Sequence, residues 1–491
     1  MSLENYKGKV LLLLLGLALV RGLIYSAVVL PWQAPDEPRH FEYVKLLYKH
    51  RRLVGWADVD PSIEEEIIAS MAKYDFWTFG LSDWTASEST PLPQRFHEVW
   101  TWPGTQHELH QPPLSYLLYL VPLLVTAGEG TAMQLYALRI VSVIMGTMVV
   151  LVGYLTAREL FPNDKRLVIA ISAFVVFLPM HTFMTSTVNN DHLAELLVSM
   201  VILAWARSFR TGLSYRRVIV IVFLAFLGML AKRTAIVAIP ICMFAMLLYL
   251  WGRNIRTLLS WRRVCLAVGL LAGVGGILVV GLTGWSRLAA LVNKVSSGET
   301  WLLDYYFALP SERFPFSFDQ PYLSTEAVAV YRSYILLMFE SFWARFGWAN
   351  IRLSAVWYAG LAIASVAAFL GLGLAAVRLR GTRTKGFLSG WRVKLFILLV
   401  ISILFDFVII VAKEIRSNWE ITMRGWPNGR YLYPVIIPIA TLFVVGLREL
   451  FSRRFGDQWW YVYIGGLILF DTVSLMLYIM PFFYGIAPQL P

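Results

Sequence analysis

The stretch PPLSYLLYLVPLLVTAG, residues 112–128, decides how this chain threads a membrane. It is apolar enough to resemble a spanning helix, yet it is short and broken by Pro122. A span needs about 20 apolar residues. Read as a span, this stretch inverts every segment after it. Read as an interfacial helix along the outer leaflet, it leaves the downstream charges in order. A re-entrant segment is the runner-up.

The charges favour the interfacial reading. Segments 157–166, 206–217, 252–263, 378–394 and 448–457 are short and basic, with Arg158, Lys165, Arg216, Arg217, Arg262, Arg263, Arg378 and Arg453 among their residues. With Lys7 and Lys9 inside, all five fall on the cytoplasmic side, where Lys and Arg are in excess. Eleven transmembrane helices are then expected, near 10–30, 138–156, 167–188, 192–206, 218–231, 234–251, 264–284, 354–377, 395–412, 431–447 and 459–480. The N-terminus is cytoplasmic and the C-terminus outside. Segments 31–137, 285–353 and 413–430 face outward, and the fold expected is one all-α integral-membrane domain over 1–491.

Composition agrees. The 491 residues are 58% hydrophobic and 15% charged, and mean hydropathy is +0.62. A soluble domain is nearer ~45–50% apolar and ~25% charged. The net charge of +12 belongs to cytoplasmic loops, so the expected surroundings are a lipid bilayer and no nucleic acid. Cys242 and Cys265 fall in or next to apolar runs, which argues against a disulfide framework or a thiolate metal site. Arg21 lies in the first span, at a cost of ~2.5–3.5 kcal/mol unless paired or solvated. Pairing inside the bundle is expected, with a phosphate contact as the alternative.

Four stretches on the outer side carry chemistry. PDEPRHFEY (35–43) places Asp36 and Glu37 at a membrane surface, with His40 close by and prolines on both sides. Paired carboxylates there can serve as a general base or a metal ligand. HELHQPPLSYLLY (107–119) offers His107 and His110 as substrate contacts, or simply starts a helix at its Pro-Pro pair. TSTVNNDHLAELL (185–197) turns between two spans, where Asn189, Asn190 or Asp191 caps the next helix, or the Asp191 carboxylate faces the first loop. Lys232 and Arg233, with Arg424, Arg430 and Tyr431, lie at the outer ends of later spans. Basic residues there run against the charge bias and point to an anionic partner such as a lipid phosphate.

These pieces suit transfer of a sugar from a polyprenyl phosphate. Such a reaction needs a base or metal to activate the acceptor hydroxyl, and cations to bind the departing phosphate. The aromatics of ESFWARFGWAN (340–350), with Tyr305 and Tyr306, read as an interfacial belt, with stacking on sugar or lipid as the alternative.

PDEPRHFEY, HQPPLSYL (110–117), VNNDHLA (188–194), SFWARFGW (341–348) and NGRYLYP (428–434) together resemble the GT-C superfamily of glycosyltransferases. These are polytopic enzymes with lipid-phosphate-sugar donors, such as protein O-mannosyltransferases and lipid A aminoarabinose transferases. The set looks closest to a branch of predicted prokaryotic membrane proteins without an assigned activity, over residues 31 to about 437. The resemblance implies an inverting glycosyltransferase in a prokaryotic plasma membrane, acting on a glycan, lipid or protein acceptor. Asp36 would be its catalytic base or a metal-linked carboxylate, and Glu37 its partner. Asp191 would contact acceptor or metal, so a divalent metal on Asp36 and Asp191 stays open. Lys232, Arg424 and Arg430 would bind the donor phosphate, while Arg233 stands where relatives often carry a small residue or proline. A transporter or flippase for a lipid-linked glycan is the alternative, and a non-catalytic scaffold the third reading.

Overall fold

The computed structural model describes residues 3–55, 58–80, 82–84, 91–100, 107–109, 111–251, 325–381, 390–419 and 428–485. Helix α1 (Leu3–Val28) leads to α2 (Glu37–His50) and α3 (Pro61–Lys73), which lie in the long segment before the next span. Then come α4 (Leu114–Val125), α5 (Thr131–Leu160), α6 (Lys165–Phe177), α7 (Pro179–Thr185), α8 (Asp191–Thr211), α9 (Tyr215–Ala231) and α10 (Ala238–Leu250). After residue 324 follow α11 (Thr325–Trp343), α12 (Ala355–Gly381), α13 (Trp391–Trp419), α14 (Ile436–Phe455) and α15 (Trp459–Val473). The strands β1 (Arg345–Phe346) and β2 (Ile351–Arg352) form a short antiparallel hairpin.

Local chemistry sets several helix starts. Asp60 accepts from the Ser62 N–H at 3.0 Å, with Pro61 in the first turn of α3. Asp164 caps α6 through the Leu167 N–H at 3.1 Å, and Ser214 caps α9 through Arg217. Each satisfies a backbone donor that the helix itself leaves open.

Among the described residues, eight helices are long and apolar enough to cross a membrane, or nine with the bent pair α6–α7 counted as one. Ten of the eleven expected spans coincide with helices, while 264–284 lies outside the described residues. The expected span 167–188 bends by 58° between α6 and α7. Pro179 opens α7, and Leu178 before it is extended, as the residue preceding a proline prefers. Helix α9 has 17 residues and stops at Lys232, where a 3-10 turn (Arg233–Val237) hands the chain to α10.

Helix α4 is amphipathic and has 12 residues. It is about 18 Å long at ~1.5 Å per residue, too short for a hydrocarbon core of ~30 Å. Ser115, Tyr116, Tyr119 and Leu123 are buried, while Leu118, Val121, Leu124 and Val125 are exposed. Its buried face is bolted down by polar contacts. The Tyr119 hydroxyl donates to the Asn189 carbonyl at 2.8 Å, and Ser115 lies 3.2 Å from the Asn190 carbonyl.

Arg21 pairs inside the bundle. Its Nε donates to Asp471 Oδ2 at 2.9 Å, and Tyr25 donates to the same carboxylate at 2.8 Å. The aromatics expected as a belt are core instead: Trp343, Phe346 and Trp348 are buried. Trp348 stacks on Trp100 with centroids 5.9 Å apart and donates to the Trp32 carbonyl at 3.1 Å. Tyr305 and Tyr306 lie outside the described residues. Helices α12 and α14 approach closely at Gly371 and Gly446, where a methyl on either would overlap backbone of the other helix.

Candidate functional site

The opening acids part company in space. Pro38 falls in the first turn of α2, and Asp36 precedes that helix in a left-handed conformation, φ 65°. Asn and Asp tolerate that region better than most residues. This backbone turn leaves the Asp36 side chain 26% exposed, so a ligand can reach it. Asp36 Oδ1 accepts from Arg39 Nη1 at 3.1 Å, and Oδ2 from Arg430 Nη2 at 3.0 Å. Burial pushes its carboxyl up, but Arg39, Arg430 and His40 outweigh that and hold it at about 2.

Glu37, expected as the catalytic partner of Asp36, is fully buried. Its oxygens accept from Arg139 Nε at 2.8 Å and Nη2 at 2.6 Å. They also accept from the backbone N–H groups of Val188 at 3.0 Å and Trp32 at 3.2 Å. Arg139 further donates to the carbonyls of Ser26, Val29 and Leu30 at 3.0, 2.6 and 3.1 Å. The Glu37 carboxylate is therefore spent on joining α1, α5 and the turn before α8. Arg139 is a residue that sequence reasoning missed, and a lone arginine among apolar neighbours was its available signal.

Asp191 opens α8 and ion-pairs with Lys232 at the end of α9. The expected cap role falls to Asn189, whose Oδ1 accepts from the Asp191 N–H at 2.9 Å. Lys232 and Arg430 both sit over the Tyr431 ring, 5.7 and 5.5 Å from its centroid. Of the Lys232–Arg233 pair, Lys232 makes the Asp191 contact. His40 is buried, with Nδ1 2.9 Å from the Tyr116 hydroxyl. Burial lowers its imidazole to about 4, against the pull of Glu108, Asp36 and Asp191, with Lys232 acting alongside burial. Because Lys232 and Arg430 share the Tyr431 ring, the Asp191 and Asp36 pairs lie in one neighbourhood.

Gly429 explains how Arg430 gets there. Its backbone lies against α11, and its N–H donates to Ser341 Oγ at 2.7 Å. A methyl at Gly429 would overlap the Met338 carbonyl. Gly429→Ala is therefore expected to displace Arg430 from Asp36 and to lower the melting temperature of the detergent-solubilised protein. An unchanged melt would show that the neighbouring turn absorbs the methyl.

Several buried polar atoms at this end of the bundle lack a hydrogen-bond partner among the described residues. They are both amide atoms of Asn190 and of Gln33, Oδ2 of Asp191 and Nε of Arg430. Each such group typically costs ~1–3 kcal/mol until something satisfies it. Asp406, a further buried acid with one unpartnered oxygen, sits on α13, which packs against α8 and the turn carrying Arg430. Sequence reasoning missed it too, although an acid inside an expected span was the signal. His110 and Arg424 lie outside the described residues.

The divalent metal expected on Asp36 and Asp191 finds poor terms there. Arg39, Arg430 and Lys232 already bond these carboxylates, and cations so placed repel an incoming ion while favouring an anion. His107, expected as a substrate contact, has its Nδ1 2.9 Å from Glu42.

Many apolar helices around a buried cluster of charge define a multi-pass integral membrane protein. The chain belongs to the family of predicted membrane proteins DUF2142, whose profile matches residues 19–440. No curated protein matches it. Among solved structures, it is similar to ArnT from Cupriavidus metallidurans bound to undecaprenyl phosphate, at 14% identity and TM-score 0.39, over 92% of this chain and 79% of that one. It is also similar to the Archaeoglobus fulgidus oligosaccharyltransferase in complex with Zn and sulfate, at 10% identity and TM-score 0.44, over 95% and 52%. A third is archaeal AglB from the same organism with an inhibitory peptide and a dolichol-phosphate, at 12% identity and TM-score 0.41, over 95% and 55%. The chain thus spans about half the length of the oligosaccharyltransferase.

Proposed function

We propose that this protein is an inverting glycosyltransferase. It moves a sugar from a polyprenyl-phosphate donor to a glycan, lipid or protein acceptor at the outer face of a prokaryotic plasma membrane. The observation that carries this reading is the pairing of Asp36 with Arg430 beside Asp191 with Lys232. Two carboxylates and two cations in one apolar bundle match the needs of base and leaving group. The acceptor hydroxyl would give its proton to Asp36 as its oxygen attacks the anomeric carbon. The bond from that carbon to the phosphate oxygen breaks, and the polyprenyl phosphate leaves with its charge against Arg430 and Lys232. Direct displacement inverts the anomeric centre.

The unpartnered amides of Asn190 and Gln33 support the reading, because a sugar's hydroxyls supply both donors and acceptors. Purified protein given polyprenyl-phosphate sugars and an envelope extract should form a glycosidic bond of inverted configuration. Movement of the lipid across vesicles without a new bond would instead make it a transporter. Lys232→Gln should raise KM for the donor by roughly 10–100-fold, the equivalent of ~1.5–3 kcal/mol for a hydrogen bond to a charged group. A KM unmoved by that change would remove Lys232 from the phosphate site.

A further inference from the structure

A second polar cluster lies in the segment between α1 and α5, apart from Asp36. Glu42 comes from α2, Glu64 from α3, and His107 from the stretch before α4. The Glu42 and Glu64 side chains are 0% and 1% exposed, and His107 11%. His107 Nδ1 lies 3.0 and 2.9 Å from the two Glu42 oxygens, and Nε2 lies 4.0 Å from Glu64 Oε1. One ligand atom from each residue falls within 4.8 Å of the others.

We propose that Glu42, Glu64 and His107 form a divalent transition-metal site, of zinc type, that ties α2, α3 and the approach to α4 together. One imidazole with two carboxylates is a donor set zinc accepts, with a fourth position for water. Bonds of ~2.0–2.2 Å would set ligand atoms roughly 3.4 Å apart, so the triad needs to close by about 1 Å. The outer shell is already built. Glu64 Oε2 accepts from Arg95 Nε at 2.8 Å and from the Phe96 N–H at 2.9 Å, which turns Oε1 toward His107. Such partners orient ligand carboxylates. The Phe96 ring, with its centroid 5.9 Å from that of His107, lies beside the site.

Charge accounting favours an ion over a bare hydrogen-bonded triad. The Arg95 guanidinium answers Glu64. Glu42 is buried as deeply, and Arg39, three residues before it on the same helix, bonds Asp36 and lies 4.3 Å over the Trp100 ring. Taking a carboxylate out of water costs several kcal/mol unless it is compensated. A divalent cation between Glu42 and His107 supplies that compensation. The role is positional, because the site fixes the helix whose first turn follows Asp36.

The test uses the full chain purified in detergent, with metal content read by mass spectrometry. About one zinc per chain is expected, as for a single three-ligand site. It should be lost in Glu42→Gln and in His107→Gln, and kept in Asp36→Asn. His107→Cys, which replaces one zinc ligand by another, should restore it. Cobalt in place of zinc should give the visible bands of a tetrahedral site. The proposal is overturned if the protein holds no metal and added zinc raises its melting temperature no more than that of Glu42→Gln. It is equally overturned if both Gln variants keep their zinc, which would place the ion elsewhere. No arm reads sugar transfer, so failure here is separate from failure of the transferase reading.

Discussion

Asp36→Asn is expected to cut sugar transfer by at least ~100-fold while leaving the folded protein nearly intact, in line with the ~10²–10⁴-fold contribution of a positioned base. Asparagine suits the left-handed backbone at this position, and its amide oxygen can still accept from Arg39 or Arg430. What it cannot do is take a proton. The carboxyl sits at about 2, against an ordinary 3.8. Because the folded value lies below the unfolded one, its contribution to stability is present above about 4 and fades as pH falls toward 2. At neutral pH Asp36 is ionised, yet so acidic a group is a weak base. Under the proposed mechanism a donor phosphate would correct this. It would compete with Asp36 for Arg430, and each hydrogen bond withdrawn would let the carboxyl rise toward a useful basicity. The acid limb of kcat, measured with saturating donor, should therefore lie well above 2. Normal turnover by the Asn variant would place the base elsewhere.

Glu37→Gln should fail for a different reason. It leaves Arg139 buried without a counter-charge, and removing one partner of a buried pair costs ~3–5 kcal/mol. The expected result is low yield and early melting, with near-normal turnover per folded molecule. Arg139→Gln should behave alike. The double variant should cost less than the sum of the two, since the partners share one interaction. The opposite pattern, a normal melt with lost transfer, would return Glu37 to the chemistry.

The long apolar helices were legible because long apolar runs admit few other readings. The bend at Pro179 was missed inside the expected span 167–188, although a proline within an apolar run was its signal. Asp36, Asp191, Lys232 and Arg430 stood out as charges beside apolar runs, and the structure brings them to one end of the bundle. The separate setting of Glu37 was not legible, because adjacent residues at a helix start diverge and its partner on α5 leaves no local mark. The Glu42–Glu64–His107 cluster was invisible, since its members come from three segments with no fixed spacing. The aromatics of 340–350 misled because composition alone does not separate a membrane belt from a packed core.

The two carboxylates at the start of α2 are completed at different times. Glu37 meets Arg139 after a further 102 residues, so α1 and α5 can lock early as the chain is made. Asp36 waits for Arg430, 394 residues later. At ~5–20 residues per second that is roughly 20–80 s of synthesis. Once Arg139 is made, the nascent chain can hold Glu37 in place for the rest of that interval, while Asp36 still lacks Arg430. A chain halted before residue 429 would therefore carry Asp36 without its Arg430 partner.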